Sequence, residues 1–194
     1  LHPMSAAQIT AMRADKDRFF KTHPQSPLSE AQQALFSRLE YYDYNPALDL
    51  NVTVERFADD DVMTIETTTG EIRRYRRYGR FAFDVDGETV QLTIFETPHG
   101  FFLPFTDANV NKETYGGGRY IDPEQIDENT FAVDFNVAYN PYCAYDEPSA
   151  LASREGREPV QWSCPLTPFE NRLKVAVRAG EKLPLGEWVS TRQD

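Results

Sequence analysis

The sequence predicts a mainly β domain, an antiparallel meander forming a barrel or strongly curled sheet, with two N-terminal helices beside it. Three observations carry this. The hydrophobic period changes from helical to two near residue 50. From there short alternating runs are separated by turn signals, of which Asp86-Gly87 is the strongest. No regular exchange of strands with helices marks a parallel sheet. A chain of 194 residues, 40% hydrophobic and 26% charged, can bury one full core, and residues 1–194 read as one domain.

Leu1, His2 and Pro3 ahead of Met4 read as a cloning remnant. The helical part covers 5–40. Ser5 caps a first helix whose stripe runs Ile9, Met12, Lys16 and Phe19 or Phe20, ending near Thr22 before Pro24. Ser29 with Gln32 three residues on has capping-box spacing and opens a second, short helix through Ala34, Leu35 and Phe36. Both are expected to close one end or edge of the sheet.

The meander occupies 50–105. Expected strands cover residues 51–57, 62–67, 71–78, 80–85, 88–95 and 101–105, with turns at Asp59-Asp60-Asp61, Thr69-Gly70 and Asp86-Gly87. Six strands in a row, each a hairpin step from the last, favour closure, because a closed sheet has no exposed edges. Residues 106–183 form a loop-rich region with short strands near 119–121, 130–135 and 173–178. Loops this long inside a compact domain carry function or are disordered, and the many aromatics argue for order. Residues 147–158 are the most linker-like stretch.

The net charge of -11, from 31 acidic against 20 basic residues, repels a phosphate backbone and excludes general nucleic-acid binding. Only five of the basic residues are lysines, a balance that suits a salt-rich cytoplasm and equally an ordinary acidic protein. No apolar run is long enough for a membrane span. The charged residues Arg13, Asp15, Lys16, Asp17 and Arg18 exclude a signal peptide, so the expected location is cytoplasmic, with Cys143 and Cys164 as free thiols or a redox pair.

Chemically capable side chains concentrate late in the chain. In KETYGGGRY (112–120) three glycines can turn backbone N–H groups into one concavity, with Lys112, Thr114, Tyr115 and Arg119 around an anion. A strained turn with Arg119 in a structural ion pair is the competing reading. No cofactor fingerprint accompanies the glycines, and no cofactor or metal is identified. In DFNVAYNPYCAY (134–145), Asp134 and Asn136 share a strand face and Tyr139 follows; such residues bind polar ligands, or tie loops to themselves. Asp134, Glu170 and Glu181 are candidate acids or bases, with Asn171 orienting the ligand. Cys143 is a nucleophile only beside a base, and His99 is its one credible partner. Oxidised, Cys143 and Cys164 would close a loop of about 20 residues, contributing roughly 3 kcal/mol.

Five blocks in order, FFLPFTDANV, KETYGGGRY, DFNVAYNPYCAY, CPLTPFEN and RAGEKL, resemble the DUF1684 family of archaeal and bacterial proteins. The resemblance covers most of the chain after the first helix and implies no catalytic residues, since that family has no agreed function. Residues 147–158 depart from it as an insertion-like link between the cysteine blocks. The expected function is a site for an anionic or polyhydroxylated small molecule with hydrolytic chemistry, in which Asp134, Glu170 or Cys143 react. The alternative is a non-enzymatic assembly module that docks a protein partner or forms a homodimer.

Overall fold

The computed structural model describes residues 3–190; Leu1 and His2 of the expected remnant lie outside them. Helix α1 (Ala6–Thr22) starts at Ser5, whose hydroxyl accepts from Gln8 N at 3.3 Å while Gln8 Oε1 accepts from Ser5 N at 2.8 Å. The same reciprocal box, Ser29 with Gln32, opens α2 (Glu30–Leu35). From this helical part Phe20, Leu28, Phe36 and Leu39 pack with Ala144, Tyr145, Trp188 and Val189 in a cluster of their own. The buried Gln32 amide reinforces this docking, donating to the carbonyls of Tyr145 and Trp188, each at 2.8 Å. Among the described residues no helix is long and apolar enough to cross a membrane.

Nine strands follow among the described residues: β1 (Asp49–Thr53), β2 (Glu55–Arg56), β3 (Val62–Glu66), β4 (Ile72–Val85), β5 (Glu88–Thr97), β6 (Gly100–Phe105), β7 (Arg119–Ile121), β8 (Glu124–Gln125) and β9 (Thr130–Asp134). They form two antiparallel sheets, β1-β9-β8 and β2-β4-β5-β6-β7, with β3 also paired to β4. The expected barrel is therefore wrong: neither sheet is closed or strongly curled. The meander cannot close on its own first strand because β1 leaves it to pair with β9, from Asp49 opposite Asp134 to Thr53 opposite Thr130. The outer edge of β7 is covered by one residue, with Tyr120 N donating to Tyr139 O at 2.8 Å and Tyr139 N to Tyr120 O at 3.0 Å. The main core, including Val52, Phe81, Phe83, Leu92, Ile94, Leu103, Phe105, Ile121, Phe131 and Val133, draws on both sheets.

Four expected strands differ from the observed ones. Residues 51–57 break at Val54 into β1 and β2, which serve different sheets. Residues 71–78 and 80–85 are one strand, β4, with a bulge where the register against β5 shifts between Arg77 and Gly79. Glycine there reads as a terminator, but it is required by close approach: a Cβ on Gly79 would lie 2.5 Å from Glu55 O. Because Arg77 pairs with Phe95 and Gly79 with Ile94, the bulge turns the strand over. Phe81 and Phe83 then face the core, whereas Tyr75 faces outward against Phe95 and Phe102. Residues 173–178 form no strand.

The linker-like stretch is also ordered, containing α3 (Ser149–Arg154) with Leu151 and Ala152 buried. Glu147 anchors it. Its carboxylate accepts from Arg157 Nη1 at 2.6 Å and Nη2 at 2.7 Å, from Ser29 Oγ at 2.6 Å and from Val160 N at 2.9 Å. The Arg157 bonds, opposed by burial, hold its pKa at about 2, below the ordinary 4.5. A carboxylate with a lowered folded-state pKa stabilises above pH 4.5 and loses that contribution as pH falls toward 2. Arg157 is one-third exposed, so solvent screens the pair and the effect is modest. Glu147→Gln is expected to cost about 1–2 kcal/mol at neutral pH and to flatten the acid limb of stability, as checked by urea denaturation across pH 2–7.

Candidate functional site

The irregular region is organised around Arg119. As Phe105's cross-strand partner it lies on the core-facing side of β7 and is 1% exposed. Its Nη1 donates to the carbonyls of Ala179 and Glu181, and its Nη2 to Val177 O at 2.9 Å and Asp107 Oδ2 at 3.5 Å. Asp107 is equally enclosed. It accepts from Val177 N at 2.9 Å and from the Thr114 hydroxyl at 2.8 Å. Burial lowers the pKa of Arg119, and the charge of Asp107 opposes that shift. Residues 173–178, expected as a strand, form none: Leu173 N donates to Thr106 O at 2.8 Å, Ala108 N donates to Val175 O at 2.9 Å, and Val177 is held by Arg119 and Asp107. Arg119 and Thr114 are placed inside this clamp, away from any open surface, and Lys112 lies exposed on the turn before it.

The glycine run is occupied by the chain itself. Gly118 has φ +96°, and a Cβ there would meet Thr167 Oγ1 at 2.2 Å; at Gly116 it would meet Asn111 Oδ1 at the same distance. The run is a tight turn, Gly118 N donating to Tyr115 O at 3.0 Å.

The asparagines act as substitute backbone. Asn171 accepts from Thr93 N at 2.8 Å and donates to Thr93 O at 2.8 Å and Pro104 O at 2.7 Å. Asn136 pairs in the same way with both backbone groups of Asn45. Asp134 accepts from the backbone and side-chain nitrogens of Asn136, and faces Asp49 across the β1–β9 pair. Burial, and then the charge of Asp134, raise the pKa of Asp49. Glu170 sits elsewhere, accepting from Arg77 Nε at 2.9 Å, Arg77 Nη2 at 2.7 Å and Thr93 Oγ1 at 2.8 Å. Burial opposes its charge, yet Arg77 and Thr93 overcome that and hold its pKa low. Asp134, Glu170 and Glu181 share no hydrogen-bond partner, so the structure does not bring these acids together.

What does converge is a cleft of about 640 Å³ between α1 and residues 139–142 and 162–165. Phe19, Phe20, Tyr139, Tyr142 and Trp162 wall it, with Tyr142 edge-on to Trp162 at 5.2 Å between ring centroids. Lys16 enters it from the buried stripe of α1, its ammonium 5.4 Å from the centre of the Tyr139 ring. Behind Lys16, its ion-pair partner Glu181 is buried and also accepts from Asn140 N at 2.8 Å and the Tyr145 hydroxyl at 2.5 Å. Burial, then the Glu181 charge, push the Tyr145 phenol well up, so it stays a donor. A second hollow of about 730 Å³ lies beyond Tyr120, Tyr139 and Pro165, reaching Tyr75, Phe102, His99 and Asp122. Tyr139 donates its hydroxyl to Asp122 at 3.0 Å on this side. Sequence reasoning missed Lys16, Tyr142 and Trp162 as site residues; the available signal was a lysine on an otherwise apolar helical stripe.

His99 is exposed in the β5–β6 turn and is not among the partners of Cys143. Cys143 meets Cys164 instead: Cys143 N donates to Cys164 Sγ at 3.2 Å, and Tyr115 Oη lies 3.5 Å from Cys143 Sγ. The insertion-like stretch between them does not keep them apart. Both cysteines are free, and only Cys164 lines the cleft.

Arg119→Ala is expected to cost about 3–5 kcal/mol, since it leaves Asp107 buried without its cation and strips the carbonyls of residues 177, 179 and 181; urea denaturation measures this. Arg119→Lys should recover only part, because one ammonium cannot match the planar fork.

Comparison with known proteins agrees with this architecture. The solution NMR structure of an uncharacterised protein from gene locus rrnAC0354 of Haloarcula marismortui is similar, with 33% identity and a TM-score of 0.60 over 91% of this chain and 92% of that one. No curated protein matches. The family model for DUF1684, a protein family of unknown function, matches residues 34–182. With its five sequence blocks folded into one clamp and one cleft wall, and that model spanning most of its length, the chain belongs to the DUF1684 family.

Proposed function

We propose that the protein binds a small, ring-bearing polyhydroxylated molecule in the aromatic cleft. The observation that carries this is the combination of flat aromatic walls with a charged group beside them: Tyr142 and Trp162 line the cleft, and the Lys16 ammonium lies 5.4 Å from the centre of the Tyr139 ring. Such sites take ligands whose ring faces stack and whose edges accept or donate hydrogen bonds. Of the two ligand classes expected from sequence, the hydroxylated one fits better than the anionic one, because Glu181 already balances the charge of Lys16. Hydrolysis has less support. Asp134 and Glu170 lie on other elements, and the Glu181 carboxylate has its oxygens engaged by Lys16, Tyr145 and Asn140.

Trp162 reports directly on the cleft, while the other tryptophan, Trp188, is buried in the helical cluster. Titration with glucose, N-acetylglucosamine and maltose, with benzoate as the anionic comparison, should give saturable change in Trp162 emission with the sugars at millimolar concentration. Tyr142→Ala and Lys16→Met should each weaken it about fivefold, equivalent to roughly 1 kcal/mol. Response to benzoate alone overturns the hydroxylated class, and response to none of the four overturns the site.

A second reading, an assembly module, is favoured by Phe169, which is 86% exposed between Pro168 and the anchored Glu170. A ring held out by a fixed turn is suited to insertion into a second copy. Under this reading sedimentation shows a concentration-dependent dimer that Phe169→Ser abolishes; a monomer at all concentrations rejects it.

A further inference from the structure

Cys143 and Cys164 lie 21 positions apart in sequence and meet at the inner wall of the cleft. Two separate segments bring them there. The 3-10 turn Tyr142–Tyr145 carries Cys143 inward. The other segment is fixed against the β3–β4 turn, where Thr68 N donates to Cys164 O at 2.9 Å and Cys164 N to Thr68 Oγ1 at 3.2 Å. The Cys143 backbone N–H donates to Cys164 Sγ at 3.2 Å. Donors on a sulfur stabilise its anion.

We propose that Cys143 and Cys164 form a peroxide-reactive dithiol site, with Cys164 as the attacking and Cys143 as the resolving sulfur. The asymmetry is geometric. Cys164 lines the open cleft, so a small oxidant reaches it first, whereas Cys143 lies behind it against Tyr115. The electrostatics run the same way: the hydrogen bond from Cys143 lowers the pKa of Cys164, while that bond and burial raise the pKa of Cys143. The oxidant is hydrogen peroxide or a small alkyl hydroperoxide. The Cys164 sulfur attacks one peroxide oxygen, forming an S–O bond as the O–O bond breaks, and the departing oxygen leaves as water or alcohol with the thiol proton. Cys143 then attacks the Cys164 sulfenic acid; the S–S bond forms, the S–O bond breaks, and the hydroxyl leaves as water with the Cys143 proton. Two thiols are oxidised by two electrons in all, and the peroxide is reduced. This chemistry does not depend on the identity of the cleft ligand.

The test treats the full chain with one equivalent of hydrogen peroxide, quenches with iodoacetamide, and reads intact mass and peptides. The expected result is loss of two hydrogens and one linked peptide pair joining Cys143 to Cys164, reversed by dithiothreitol. In Cys143→Ser, dimedone should label Cys164; in Cys164→Ser, Cys143 should stay reduced at the same dose. The wild-type arm needs no variant to fold, and thermal melting checks the variants. Both cysteines remaining alkylatable at a dose that oxidises free glutathione overturns the site. Dimedone on Cys143 in Cys164→Ser overturns the order of attack.

Discussion

The buried pair Arg119 and Asp107 is the interaction on which the rest depends. Many residues of the irregular segments after residue 105 are buried, and every enclosed backbone N–H and C=O must find a partner or cost free energy. Strands would ordinarily supply those partners. Here one guanidinium takes the carbonyls of Val177, Ala179 and Glu181, and one carboxylate takes the Val177 amide. Buried ion pairs are often no more stabilising than apolar substitutes. This one differs because most of its hydrogen bonds go to the backbone, so that an apolar pair could not replace it.

The cleft inherits its shape from that clamp. Holding residues 177–181 against β7 places Glu181 behind Lys16, and Glu181 in turn fixes Asn140 and Tyr145, so the segment bearing Tyr139, Tyr142 and Cys143 has one available position. Helix α1 closes the other side through Phe20, edge-on to Tyr145 at 5.0 Å. Signature blocks of the sequence therefore do two different jobs. KETYGGGRY and RAGEKL build the frame, while NPYC and the start of CPLTPFEN furnish the surface. Rigid framing of a few exposed side chains is how small-molecule sites are commonly made.

Local physics made parts of this legible from sequence. Ser5 with Gln8 and Ser29 with Gln32 are reciprocal caps within three residues, and Asp86-Gly87 needs only its own positive φ values, 52° and 78°. Strand order was not legible, because the pairing of Asp49 with Asp134 joins positions 85 apart. Gly79 looked like an interruption since its reason, the Glu55 carbonyl pressed against it, comes from another strand. The site was half visible. Asp134, Asn136 and Asn171 were noticed for chemistry that the structure spends on their own backbone neighbours, whereas Lys16 passed as an ordinary helical residue. Polar side chains in irregular segments look alike in sequence whether they bind a ligand or replace a missing strand.

The single-residue cover on β7 has a further consequence. A three-residue outermost strand invites addition of a foreign strand, the route by which sheets polymerise. Tyr139 occupies both outward hydrogen-bonding groups of Tyr120, and its ring packs edge-on to that of Tyr120. The rim is thus capped against strand addition by a loop that also walls the cleft, so changes that loosen this loop would uncover the β7 edge and reshape the cleft together.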